Sequence, residues 1–155
     1  MIKNYTKKYF LPILITLFFL DICSFAAFNY TLFHFVLCAY ILIVFQTRSI
    51  FVLGSAWLLL GLESTLYFGI FGLDLIYAIP AYYAGILMQE VLYRKTLQPY
   101  ILLIICLVIR HLIVSLVGTT LCNPLIYTLW AIFANIIVIW LMTFIQPIPS
   151  KMALK

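Results

Sequence analysis

At 155 residues the chain could bury a sizeable core, yet 67% of it is hydrophobic and only 8% is charged, whereas soluble domains carry about a quarter charged residues. Four acidic and nine basic side chains cannot cover a water-facing surface, so a soluble globular domain is excluded and one membrane bundle is expected. The net charge of +5 does not imply nucleic acid, because the cations recur loop by loop and form no single basic stripe.

A membrane-crossing helix needs about 20 mostly apolar residues. Six stretches meet or approach that length: 9–28, 31–46, 50–68, 73–92, 99–118 and 124–146. The first is preceded by Lys3, Lys7 and Lys8. Those lysines, the apolar run and Ser24-Phe25-Ala26 resemble a cleavable signal peptide. Asp21 interrupts the region before the supposed cleavage site, so the segment is expected to stay as a span. The second and third stretches are short for a full crossing, which tilt or local thinning accommodates.

Two apolar runs flank the turn Gly69-Ile70-Phe71-Gly72, with Glu63 before it and Asp74 after it. Asp74 opens the fourth stretch and is expected to cap its first turn at the outer interface. Ala78, Ala81 and Gly85 follow at three- and four-residue spacing, a smooth face suited to close helix packing inside the bundle. Pro80 lies among them and should kink the helix. Glu90 and Arg94 stand four apart, the spacing of a helix-surface salt bridge. In the sixth stretch, Asn123-Pro124 is a helix-opening pair, and mid-span Asn135 calls for an interhelical hydrogen bond. Cys23, Cys38, Cys106 and Cys122 show no paired spacing, so neither a metal nor a cofactor is expected.

The basic residues test this division. Lys3, Lys7, Lys8, Arg48, Arg94, Lys95, Lys151 and Lys155 all fall at the ends or in the connections of one side, and the alternate connections hold no lysine or arginine. By the positive-inside rule both termini are cytoplasmic. The expected fold is thus an all-α membrane protein, one domain over 1–155, built as a single bundle of six transmembrane helices. Aromatic residues such as Phe45, Tyr67, Phe68 and Tyr100 are expected to mark the interfaces, and Trp57, Trp130 and Trp140 to face lipid or core.

Charged side chains inside a bilayer cost at least about 2.5–3.5 kcal/mol each and so face protein or water. Asp21, Glu63 and Arg110 lie eleven to thirteen residues into the first, third and fifth stretches. These run in the same direction, which puts all three ~17–20 Å from the cytoplasmic side, in one layer with His111. Arg110 paired with Glu63 or Asp21 would neutralise both partners. Such a cluster can be a clamp that fixes helix register, or a polar site for a ligand, a proton or a partner helix.

Sequence signatures of catalysis are missing: no metalloprotease pair, phosphate loop, dinucleotide fingerprint or framed nucleophilic serine occurs. A non-enzymatic role is expected. The stretch from Gly54 to Arg94 resembles the MreD family of bacterial rod shape-determining membrane proteins. Gly54, Gly61 and Glu63 stand where that family has a glycine-spaced helix ending in an acidic residue. Gly69 and Gly72-Leu73-Asp74 match its glycine-rich turn and helix entry, and Ala81, Tyr82, Ala84 and Gly85 match the small and aromatic residues that follow. The resemblance implies a scaffold of the cell-elongation machinery in the bacterial inner membrane. Its implied partners are an MreC-like bitopic protein, the actin-like MreB filament and the elongation synthases. A second resemblance is to the vitamin-binding components of energy-coupling-factor importers, whose alanine-spaced first helix has no counterpart in Leu11–Phe19.

Overall fold

With no water in the hydrocarbon layer, an apolar segment must satisfy its backbone N–H and C=O groups within itself, which favours helix. The structure, a computed structural model, describes residues 2–28, 33–46, 49–91, 96–116 and 124–145. These form six helices and no strand: α1 (Ile2–Phe28), α2 (Phe35–Gln46), α3 (Ile50–Phe68), α4 (Leu75–Val91), α5 (Gln98–Leu116) and α6 (Pro124–Ile145). Three segments, Ile50–Phe68, Gln98–Leu116 and Ile126–Phe144, are long and apolar enough to cross a membrane. Arg48, Arg94, Lys95, Asn123, Lys151 and Lys155, and with them the Glu90–Arg94 pair and the Asn123 cap, lie outside the described residues.

The organising element is α2. Its twelve residues rise only ~18 Å, against a hydrocarbon thickness of ~30 Å, so it is shorter than the 31–46 span expected. Every residue from Val36 to Phe45 is buried, and α2 touches all five other helices. Around it the chain runs α1 against α3, α3 against α4, α4 against α5 and α5 against α6, while α1 and α6 share no contact among the described residues. A helix apolar on all sides has to be covered by protein or by lipid, and for α2 the other five helices supply the cover. Phe45, expected at an interface, is part of this core.

Outward faces carry large apolar side chains instead of charges, among them Leu62, Leu66, Leu87, Leu112, Trp130 and Trp140. Trp57 packs partly buried against the core. Cys23 is exposed, Cys38 and Cys106 are buried, and all three are free thiols.

Two close approaches set the packing around α4. Ala78, Ala81 and Gly85 are buried, and a Cβ built on Gly85 would overlap the Val44 side chain of α2. The small-residue face therefore serves internal packing. About two turns towards the start of α4, Tyr40 of α2 donates its hydroxyl to the Ala78 carbonyl at 2.5 Å, two residues before Pro80.

The link between α3 and α4 is tight because two glycines take positive φ, 70° at Gly69 and 80° at Gly72, where a Cβ would be strained. Gly69 ends α3 by donating to the Thr65 carbonyl at 2.9 Å, a left-handed helix cap. Gly72 N–H donates to the Ser64 hydroxyl at 3.1 Å. Phe71 folds back over Gly61, where a Cβ would stand 3.0 Å from the ring. The turn thereby brings Glu63 at the end of α3 and Asp74 at the start of α4 onto the same side of the bundle.

Candidate functional site

At the N-terminal end of α2, every helix of the bundle, or the residue that leads into it, supplies a polar side chain. Arg110 of α5 is the centre and is 2% exposed. Its Nε donates to Asp74 Oδ1 at 3.0 Å. Its Nη1 lies 2.8 Å from Nε2 and 3.0 Å from Nδ1 of His34. A guanidinium has only donors, so the His34 nitrogen it meets accepts, and that ring is not doubly protonated. Nη2 stands 3.6 Å from Glu63 Oε1, and the guanidinium carbon lies 5.7 Å from the Phe68 ring centroid, within cation–π range.

Asp21 of α1 does something different. Its two carboxylate oxygens accept the backbone N–H groups of Phe35 at 2.7 Å and Val36 at 2.9 Å. These are the first residues of α2, whose opening N–H groups have no partner inside the helix and whose dipole favours an anion there. Asp21 is thus a cap supplied by a neighbouring helix. The sequence order hides this, because Asp21 does not precede α2 as an ordinary capping residue would.

His34 and Asn135 complete the ring of contacts. His34 N–H donates to Asn135 Oδ1 at 2.8 Å, and Asn135 Nδ2 donates to the Ala131 carbonyl one turn back at 2.7 Å. This is the interhelical bond expected of Asn135, made to the residue that leads into α2. His111 donates its Nδ1 hydrogen to the Leu107 carbonyl at 2.7 Å. Its ring centroid lies 6.4 Å from that of His34 and 5.2 Å from that of Tyr127.

The structure therefore brings Asp21, Glu63, Arg110 and His111 into one buried neighbourhood. Glu63 faces Arg110, while Asp21 is given to the α2 backbone. Asp74 belongs to the same neighbourhood. Its carbonyl accepts the Ala78 N–H at 3.1 Å, but its side chain is 1% exposed and bonded to Arg110, where the sequence predicts a helix cap. The physical reason is that a buried guanidinium demands an anion within contact distance more strongly than a helix start does.

The residue missed by sequence reading is His34. The available signal was that both histidines of the chain lie inside apolar runs, where an imidazole has no water to bond.

Chemically the cluster is a set of acceptors around one cation. Among the described residues no group of three His, Cys, Asp or Glu side chains is arranged to hold a metal. The Ser64 hydroxyl is engaged with the Gly61 carbonyl at 2.9 Å. Glu63 Oε2 and Asp74 Oδ2 are buried and have no hydrogen-bond partner among the described residues. Comparison with family models, with characterised proteins and with solved structures finds no match.

Proposed function

We propose that the chain is a six-span protein of the bacterial inner membrane, both termini cytoplasmic, acting as a non-enzymatic MreD-like scaffold of the cell-elongation machinery. The observation that carries this reading is the use made of the residues behind the resemblance. Gly61, Glu63, Gly69, Gly72, Asp74 and Gly85 are the ones that form the α3–α4 turn, set two acidic side chains beside Arg110 and let α4 pack on α2. A motif spent on internal geometry and a buried polar cluster suits a rigid binding platform, since buried polar networks of this kind fix one packing arrangement among many.

The apolar outward faces suit contacts with lipid and with other membrane helices. The partners expected are an MreC-like bitopic protein and the elongation synthases. Depletion in the host should cost rod shape, and affinity purification of the tagged chain should co-purify the MreC-like protein. Normal shape together with an empty pull-down rejects the scaffold.

One observation favours a second reading, a vitamin-binding importer component: the buried oxygens of Glu63 and Asp74 without partners could meet a ligand's polar groups. Thermal stabilisation of the purified chain by a vitamin, a linkage effect of about 2.7 kcal/mol at a hundredfold excess over Kd, would replace the scaffold by the importer.

A further inference from the structure

The inner charges of the cluster do not balance. Asp21, Glu63 and Asp74 are all buried, and the guanidinium of Arg110 is the cation they face. Asp74 takes its Nε–H at 3.0 Å. Asp21 takes two backbone N–H groups and the positive end of α2. His34 accepts from Arg110 and so brings no positive charge, although its Nδ1 stands 3.8 Å from Glu63 Oε1. Glu63 is left with a guanidinium nitrogen at 3.6 Å on one oxygen. Its other oxygen has no hydrogen-bond partner among the described residues. A buried carboxylate in that position forfeits most of its hydration without recovering it, whereas the neutral acid forfeits far less.

We propose that Glu63 is a proton-binding site: in the folded bundle it stands as the neutral acid, holding one proton taken from water. The other ionisable groups it senses are Asp21 of α1, His34 and Cys38 at α2, Tyr67 of α3, Asp74 and Tyr77 at α4, and Arg110 of α5. With Glu63 neutral, Asp74 and Arg110 cancel, and Asp21 is offset by the α2 backbone. The cluster is then close to neutral as a whole.

A metal ion is a poorer fit. Among the described residues the buried oxygens without a hydrogen bond are Glu63 Oε2, Asp74 Oδ2 and the hydroxyls of Tyr67 and Tyr77, while a calcium ion takes about 6–8 oxygen ligands; a proton needs one. This inference is independent of the scaffold reading, since it concerns the charge state of one side chain and predicts nothing about partners.

The test uses the full chain in lipid nanodiscs. The sequence holds two glutamates, Glu63 and Glu90, of which Glu90 is exposed, so isotope labelling of the glutamate carboxyl carbon isolates the signal. Infrared spectra at neutral pH should show the carbonyl stretch of a protonated carboxyl group that shifts with the label. The band should persist in Glu90→Gln and vanish in Glu63→Gln. Absence of a label-shifted band in the wild-type chain overturns the proposal without recourse to any variant.

Thermal melting gives a second arm. Glu63→Gln copies the neutral acid and should melt within about 2 °C of wild type, whereas Asp74→Asn, which strips Arg110 of its close anion, should melt roughly 10 °C lower. A drop in Glu63→Gln as large as that in Asp74→Asn would show an ionised Glu63 and overturn the proposal.

Discussion

Arg110 ties the ends of three helices with one side chain, because the planar guanidinium offers five donors in a fixed fork. Asp74, His34 and Glu63 occupy three different edges of that fork. Replacing Arg110 by leucine leaves the Asp74 carboxylate buried with no cation at contact distance. Removing one partner of such a pair costs about 3–5 kcal/mol, so Arg110→Leu should melt well below wild type in detergent. Arg110→Lys should recover little of the loss, since a point ammonium cannot meet Asp74 and His34 together. Equal melting of all three proteins would show that the cluster contributes nothing to the fold. Asp21 is legible in the sequence as an intramembrane carboxylate, but its partner is not: the acceptor is meant for backbone N–H groups fourteen and fifteen residues further on.

Among the elements, α2 and α4 depend on each other. Gly85 lets the Val44 side chain approach the α4 backbone, and Tyr40 ties α2 to the Ala78 carbonyl about two turns away on the same face. Gly85→Leu would need the two helices to separate. Overpacking of this kind costs typically about 1–3 kcal/mol, read as a lowered melting temperature, and the cost should be larger than for Gly54→Leu, since a Cβ at Gly54 meets nothing within 4 Å. Similar melting of the two variants would deny the close approach. The small-residue spacing in α4 announced such a contact in advance. That its counterpart is the fully buried α2 was not announced, because periodicity names a face and says nothing of what lies opposite.

At the scale of the whole molecule, five helices enclose a sixth that is too short to cross a bilayer alone, and the polar cluster sits at the blunt N-terminal end of that inner helix. The proposed topology puts this end towards the outer side and the basic connections towards the cytoplasm. Single cysteines at Arg48 and Lys95, in a chain with its native cysteines replaced by alanine, should therefore both resist a membrane-impermeant thiol reagent in intact cells and react after permeabilisation. Labelling of one and not the other before permeabilisation would overturn the six-span arrangement.

Composition and spacing by themselves determined that the chain is helical and apolar on its outer faces. They also grouped Asp21, Glu63 and Arg110 and put a glycine turn between two acidic residues. These follow from local rules: helix length, loop charge, the conformational freedom of Gly69 and Gly72, and the cost of an unpaired charge in hydrocarbon. Tertiary structure alone decided which carboxylate meets Arg110, that His34 enters the cluster, and that α2 is the enclosed helix. Those outcomes depend on which residues from distant parts of the chain share one small volume, a choice made by packing and by the partners that buried polar groups find.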